Sequence, residues 1–301
     1  MHLLQCLGRW LAGNRALRRL GRTALGRALV RLYRAIAPEN IEGGARPGGF
    51  EIGILIVTCV GLTLTQFGGA ERVFLDLFGD ALREDLAGRR AAGQGAAPLS
   101  ARDHPYYELF ALLHWVAFCI LGYVALPALW LKASGRSAID GAYLRLGGFA
   151  RHLGIYALLF GLVMVPVVIV SFQPIYQSIY PFYKQAGRSW ADLIAWELAY
   201  GAQFFALEYL FRGVLLDGLR RWIGYGAVGV MILPYCMLHF MKTSSESLGA
   251  IVAGLVLGCL AMKYRSIWGG VLLHWGVAIS MDVLSLAHQS QLPSRWMPPG
   301  W

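Results

Sequence analysis

Long apolar blocks separated by charged loops constrain this sequence more than any other feature. Hydrophobic residues make up 57% of the 301 positions and charged residues only 15%. This composition is too hydrophobic for a water-soluble domain of this size. A helix crosses the bilayer core with about 20 predominantly apolar residues. The pattern therefore predicts an all-α fold, a polytopic transmembrane helical bundle without a separate soluble domain.

Seven of the apolar blocks have about the length of a spanning helix. We expect spans at 50–67, 107–131, 153–173, 190–219, 225–241, 247–263 and 267–287. The polar stretch 70–105, which is rich in Gly, Ala and Arg, is predicted to be an extramembrane loop. The fourth block would form a helix about 45 Å long, so we expect it to tilt, protrude or break.

The N-terminal segment is strongly basic. No acidic residue precedes Glu39, whereas eight arginines lie between Arg9 and Arg34, with leucines at roughly helical spacing between them. This pattern predicts a basic amphipathic helix that lies on anionic lipids at the membrane surface. Because Lys and Arg are more frequent in the loops on the N-terminal side, we expect the N-terminus to be cytoplasmic, in the cell inner or plasma membrane.

These features divide the chain into four parts. We expect a membrane-surface arm at 1–46, N-terminal transmembrane helices and loops at 47–189, a catalytic-type transmembrane core at 190–288, and a tail at 289–301. The five cysteines are scattered and form no Cys-x-x-Cys pair, so they indicate neither a disulfide framework nor a thiolate zinc site.

Ionisable side chains inside the apolar blocks mark the candidate site. Glu208 and Arg212 are four residues apart in the fourth block, His239 follows in the fifth, and His274 and Asp282 lie on one stripe of the last. An ionisable group at membrane depth is costly unless it is paired or faces a wet cavity, so such groups usually mark function. Their co-occurrence in the last hundred residues predicts a site there.

The chemistry that these residue types support is hydrolysis. A carboxylate can take a proton from water, one histidine can orient that water, and a second can donate to the developing oxyanion. Two imidazoles and a carboxylate are also a common zinc triad, but no His-Glu-x-x-His helix occurs. We therefore expect no cofactor, with zinc possible but not favoured. The residue types alone also allow a structural Glu208–Arg212 ion pair between helices.

At these residues the sequence resembles the CAAX-protease and bacteriocin-processing family of intramembrane endopeptidases (the CPBP or Abi family). The motifs of that family are Glu-Glu-x-x-x-Arg, Phe-x-x-x-His and His-x-x-x-Asn/Asp on successive helices. Glu208 through Arg212 resembles the first motif, Tyr235 through His239 resembles the second with Tyr for Phe, and His274 matches the start of the third. The resemblance covers about 190–285.

The resemblance implies an intramembrane endopeptidase that cleaves a membrane-anchored or lipidated protein or peptide, with no nucleic-acid partner. By the same resemblance Glu208 is the base, His239 orients the water and His274 donates to the oxyanion. Arg212 would position Glu208, and Asp282 would support His274.

Two positions depart from the family motifs. Leu207 stands where the first glutamate is expected, and Ala278 stands at the Asn/Asp position. Glu208 would then act alone or with Glu197. Asp282, one turn further along the helix than Ala278, would take the place of the missing Asn/Asp. The departures leave open a catalytically inactive relative that binds membrane peptides as an immunity or scaffold protein. A proton-coupled transporter that uses Glu197 and Glu208 as relays is a third interpretation.

Overall fold

The computed structural model describes residues 48–89, 99–146 and 152–298. The predicted membrane-surface arm, 1–46, lies outside the described residues, as does the end of the predicted tail beyond residue 298. The helical nature of the arm and its contact with anionic lipids therefore stay predictions.

The described residues form an all-helical fold, as predicted. The α-helices are α1 Gly49–Thr63, α2 Glu71–Arg89, α3 Tyr107–Ile120, α4 Leu126–Ala133, α5 Leu153–Ser171, α6 Pro174–Ile179, α7 Trp190–Glu208, α8 Leu216–Ile223, α9 Gly226–Met237, α10 Ser244–Tyr264 and α11 Trp268–His288. Three π-helical turns join consecutive helices, at Leu64–Gly68, Leu121–Ala125 and Tyr209–Leu215.

Within the part of the chain that the structure describes, five segments are long and apolar enough to cross a membrane. They are Gly49–Gly68, Tyr107–Ala133, Leu153–Ser171, Ser244–Tyr264 and Trp268–His288, and they correspond to the first, second, third, sixth and seventh predicted spans. The two other predicted spans correspond to α7 and its continuation, which carry several charges, and to α9, which has only 12 residues. The chain is thus a polytopic helical membrane protein.

The fourth predicted span is one continuous helical run, from 190 to 223, whose geometry changes part of the way along. Helix α7 ends at Glu208, the π-helical turn Tyr209–Leu215 follows, and α8 continues to Ile223. A π-helical turn has more residues per turn than an α-helix and is often found at functional sites. Glu208 and Arg212 therefore lie on either side of the change in helical geometry.

The prediction of an extramembrane loop at 70–105 is wrong for most of that segment, because residues 71–89 form helix α2. The prediction relied on the Gly, Ala and Arg content and overlooked that this segment is amphipathic. Phe74 and Leu82 on one face of α2 are buried in a cluster with Ala101 and Tyr107. The predicted fifth span is also too long, because α9 ends at Met237 and residues 238–240 form a turn.

The chain separates into two compact units. The first unit contains the described residues of 1–55, 131–150 and 209–268, and the second those of 56–130, 151–208 and 269–301. In the first unit α9 and α10 pack closely, because a side chain at Gly258 would come within 2.9 Å of Met231. Small residues allow this close approach between membrane helices.

The second unit has an aromatic core and an apolar outer surface. Trp196 and Tyr200 of α7 stack at 4.7 Å between ring centroids, and Tyr183, Leu193 and Leu286 pack in the same cluster. Helix α5 instead exposes large apolar side chains along its length, at positions 158, 162, 165 and 169. Exposure of this kind is expected where lipid tails, and not water, surround a helix.

Candidate active site

Glu208 and His274 form a close acid–imidazole pair in the second unit. His274 Nδ1 lies 2.7 Å from Glu208 Oε1, within hydrogen-bond distance. Glu208 is fully buried at the end of α7, and the side chain of His274 on α11 keeps 16% of its surface exposed. A buried carboxylate is thus joined to an imidazole that remains partly accessible.

Packing on both partners fixes the geometry of this pair. The ring of His274 is stacked on Phe204, with 5.6 Å between ring centroids and an angle of 8° between planes. Glu208 lies against the backbone of α11 at Gly270, where an added Cβ would come within 2.3 Å of Glu208 Oε2. Only glycine at position 270 lets the carboxylate approach α11 this closely.

Arg212 and His239 lie in the first unit, where Tyr235 connects them. The guanidinium carbon of Arg212, which is fully buried in the π-helical turn, lies 3.9 Å from the centroid of the Tyr235 ring. The Tyr235 ring also meets that of His239 edge-on, at 5.0 Å between centroids. A cation stacked on an aromatic ring is attracted to the negative face of the ring.

The backbone sets the tautomer of His239. Its Nδ1 is 3.0 Å from the carbonyl oxygen of Tyr235, which can only accept a hydrogen bond. The neutral ring therefore carries its proton on Nδ1 and its lone pair on Nε2. His239 lies two residues beyond the end of α9, in the turn before α10, and not inside a span as predicted.

Asp282 lies in a second polar cluster of the second unit. Its Oδ2 accepts a hydrogen bond of 2.8 Å from Trp196 Nε1. The carboxyl group of Glu197 lies close to that of Asp282. Asp282 follows His274 by eight residues on α11, a rise of about 12 Å. The support of His274 by Asp282 stays a prediction.

Helices α7 and α11 are held together near this cluster by another indole. Trp275 Nε1 donates to the Glu197 carbonyl oxygen at 2.9 Å, and an atom added as Cβ at Gly201 would come within 2.6 Å of the Trp275 ring. The contact fixes the register of α11 on α7, and this register also brings His274 to Glu208.

Within the second unit, the structure brings Glu208 and His274 to 2.7 Å from each other. It places Arg212 and His239 around Tyr235 in the first unit, and Asp282 with Trp196. The roles of all five predicted site residues stay predictions.

Trp196, Phe204 and Gly270 contact the predicted residues but were not predicted as site residues. Membrane helices consist mostly of apolar residues and glycine, so a residue of this kind does not by itself indicate a site. The only sequence signal was the Gly269-Gly270 pair shortly before His274.

Among the residues that the structure describes, no group of three or more His, Cys, Asp or Glu side chains could hold a metal ion. The expectation that the protein needs no cofactor stays a prediction.

The fold and the site define a class of protein: a polytopic helical membrane protein in which a buried glutamate on one helix meets a partly exposed histidine on another. Residues 189–280 match the family model described as type II CAAX prenyl endopeptidase Rce1-like. This segment is therefore an Rce1-like domain of the CAAX-protease family, which confirms the resemblance seen in the sequence. No curated protein and no solved structure matches the chain significantly.

Proposed function

We infer that this protein is an intramembrane endopeptidase that hydrolyses a peptide bond of a membrane-anchored substrate. The observation that carries this proposal is the 2.7 Å contact between Glu208 and His274 inside the Rce1-like domain. A carboxylate on one helix and an imidazole on another rarely meet in an apolar protein without a functional reason.

In the proposed reaction Glu208 is the general base. The oxygen of a water molecule bonds to the carbonyl carbon of the substrate while one of its protons passes to the Glu208 carboxylate. The carbon–nitrogen bond then breaks, and the proton held by Glu208 moves to the leaving nitrogen. The carboxylic acid product gives its remaining proton to the amine, so the products are a carboxylate and an ammonium ion, and Glu208 returns to its ionised form.

His274 has two proposed tasks in this reaction. Its Nδ1, which lies 2.7 Å from the carboxylate, is proposed to donate to Glu208 and to hold the carboxylate in position. Its Nε2 belongs to the partly exposed ring, and in the imidazolium form it donates to the oxyanion that develops on the substrate carbonyl. Stacking on Phe204 keeps the ring in the one orientation that serves both tasks.

His239 and Arg212 keep the roles that the family motifs imply. We propose that His239 orients the attacking water through Nε2, the nitrogen that holds the lone pair in the neutral ring. Arg212 is proposed to position Glu208. Its guanidinium is itself held by Tyr235, so a lysine at position 212 would lose the planar stack.

The proposed substrate is a protein or peptide whose C-terminal end carries a prenylated Cys-a-a-X sequence. The description of the matching family names such a substrate class. A lipidated cysteine places the scissile bond near the membrane surface. Exposed apolar helices such as α5 keep the protein in the same membrane.

The test is cleavage of a farnesylated Cys-a-a-X peptide by the full-length protein in proteoliposomes, measured by mass spectrometry of the products. We expect Glu208→Gln and His274→Ala each to slow cleavage by about 100-fold or more. Glu84→Gln is the matched control, since Glu84 is exposed on α2. Equal rates for wild type and Glu208→Gln would exclude Glu208 as the base.

A second candidate function is peptide binding without cleavage. It is favoured by the departures from the family motifs, Leu207 for the first glutamate and Ala278 for the Asn/Asp. In the same proteoliposomes an inactive binder would retain the prenylated peptide without forming products. Retention would then be the same for wild type and Glu208→Gln.

A further inference from the structure

A cavity in the first unit has arginine at five of its ten lining positions. It has a volume of about 260 Å³, several times the ~30 Å³ of one water molecule. Its arginines come from three places in the chain: the loop after α4, the end of α8, and the end of α10. They are Arg136, Arg145, Arg220, Arg221 and Arg265, and we call this cavity the arginine pocket.

The pocket carries an excess of positive charge. Two of its arginines pair with carboxylates, Arg145 with Asp140 at 2.7 Å and Arg220 with Asp217 at 2.8 Å. Within 48–89, 99–146 and 152–298, no carboxylate forms an ion pair with the other three. Five guanidinium groups and two carboxylates therefore leave a net charge of +3 at the pocket.

One arginine is oriented by an aromatic ring. The guanidinium carbon of Arg136 lies 3.5 Å from the centroid of the Phe50 ring. Such stacking uses the face of the guanidinium plane and leaves its edge, with the N–H groups, for a ligand. The fork of N–H groups on an arginine matches the oxygen atoms of a phosphate group.

Tyr143 adds a buried polar group to the pocket. Only 2% of this residue is exposed, and its hydroxyl lies near the Asp217 carboxylate in the wall of the pocket. Burial raises the pKa of Tyr143 above its ordinary value, so the hydroxyl keeps its proton and can donate it in a hydrogen bond.

The backbone holds the walls of the pocket in place. Tyr143 and Arg265 both have positive φ, 55° and 48°, which is uncommon for residues other than glycine. The segments that contain them are joined by hydrogen bonds from Ile267 N to the Tyr143 carbonyl at 3.1 Å and from Trp268 Nε1 to the Leu144 carbonyl at 3.0 Å. Arg145 and Arg265 thus lie on two segments that are hydrogen-bonded to each other.

We propose that the arginine pocket binds a phosphate group, and that in the membrane this group is the headgroup of an anionic phospholipid. The pocket is lined by residues at or beyond the ends of α4, α8 and α10, and the ends of membrane helices commonly lie at the level of the lipid headgroups. By the positive-inside rule this end faces the cytoplasm, whose leaflet holds the anionic lipids. The net charge of +3 favours a doubly charged phosphomonoester, as in phosphatidic acid, over a singly charged phosphodiester.

The site is separate from the Glu208–His274 pair, so its test does not depend on proteolysis. The full-length protein in detergent is titrated calorimetrically with phosphatidic acid in phosphatidylcholine micelles, with phosphatidylcholine alone, and with inorganic phosphate alone. The double variant Arg221→Ala/Arg265→Ala removes two exposed arginines of the pocket. Arg72→Ala/Arg295→Ala removes two exposed arginines elsewhere and is the matched control.

We expect the double variant to bind phosphatidic acid about 25-fold more weakly, because each arginine near an anionic headgroup contributes about fivefold. The control should bind like wild type. If only inorganic phosphate binds, and the double variant weakens it, the phosphate site stands and its ligand is free phosphate. Equal binding by the double variant and the control, or no binding by wild type, would overturn the proposal.

A second variant covers the case in which the double variant does not fold. Tyr143→Phe removes one hydroxyl and keeps the volume of the side chain. Because this hydroxyl is a proposed donor to the phosphate, we expect binding to weaken about fivefold. Unchanged affinity of Tyr143→Phe would remove the buried donor from the proposed site.

Discussion

Glu208 and Gly270 are packed so tightly that position 270 has no room for a side chain. An alanine there would place its Cβ within 2.3 Å of the Glu208 carboxylate, and the carboxylate would have to move away from α11. We expect Gly270→Ala to lower the rate of peptide cleavage by about 100-fold, because a shift of about 1 Å in a catalytic group costs that much.

Gly161→Ala on α5 is the matched control for this prediction, since nothing lies within 4 Å of the added Cβ. The same substitution in open space adds about 0.5–1 kcal/mol of helix propensity. It should therefore leave cleavage unchanged and keep or raise the melting temperature. A Gly270→Ala protein as active as wild type would mean that the position of Glu208 is not critical.

The site residues differ in how far the sequence could reveal them. Glu208, Arg212 and His274 stand out because an ionisable group is rare in an apolar block and expensive there. The partner of Asp282 could not be predicted, since the contact from Trp196 joins residues 86 apart. Helical stripes show which residues share a face of one helix. They do not show which face of another helix lies opposite.

Among the helices, α2 is connected to the start of α3 by hydrogen bonds to the carboxylate of Glu71. The Tyr107 hydroxyl donates a hydrogen bond to Glu71, and Arg102 Nε donates to the same oxygen at 3.1 Å. The hydrogen bond from Tyr107, followed by the effect of Arg102, lowers the pKa of Glu71 below its ordinary value of 4.5. Glu71 therefore stabilises the docking of α2 only while it is ionised.

The interaction of Glu71 with Tyr107 and Arg102 should weaken in acid. A carboxyl group whose pKa is lowered on folding stabilises the protein above its unfolded pKa, and the contribution is lost as the pH falls through the folded pKa. We expect Glu71→Gln to lower the melting temperature by about 1–2 °C at pH 7, since exposed pairs contribute little. The difference from wild type should be smaller at pH 3 than at pH 7.

Glu84→Gln on the exposed face of the same helix is the control, and it should match wild type at both pH values. A Glu71→Gln difference that stays constant from pH 7 to pH 3 would show that the ionised carboxylate is not what docks α2.

Helix α2 also shows where prediction of elements from sequence fails. Its glycines, alanines and charges resemble a loop by composition, but Arg89 and Asp85 form an ion pair one turn apart at 2.6 Å, and Phe74 is buried. Spans with an unbroken apolar block, such as Leu153–Ser171, were predicted to within a few residues. Apolar length is a strong signal in a membrane protein, whereas an amphipathic helix outside the core is a weak one.

For the whole molecule, the distribution of Lys and Arg predicts a direction in the membrane. We expect the loop with Ser137 to be cytoplasmic and the segment with Ser294 to be on the other side. Both serines are exposed. In a variant whose native cysteines are replaced, a membrane-impermeant maleimide should label Ser294→Cys in intact cells, and Ser137→Cys only after lysis. The reverse labelling would contradict the orientation.

The central claim is that the chain hydrolyses peptide bonds through Glu208. The most direct test compares the termini of all membrane proteins in cells that carry wild type or Glu208→Gln at matched expression. We predict a set of termini that is present only with wild type, and these termini would also identify the substrates. Identical termini in the two strains, with Glu208→Gln folded and in the membrane, would contradict the claim and favour binding without cleavage.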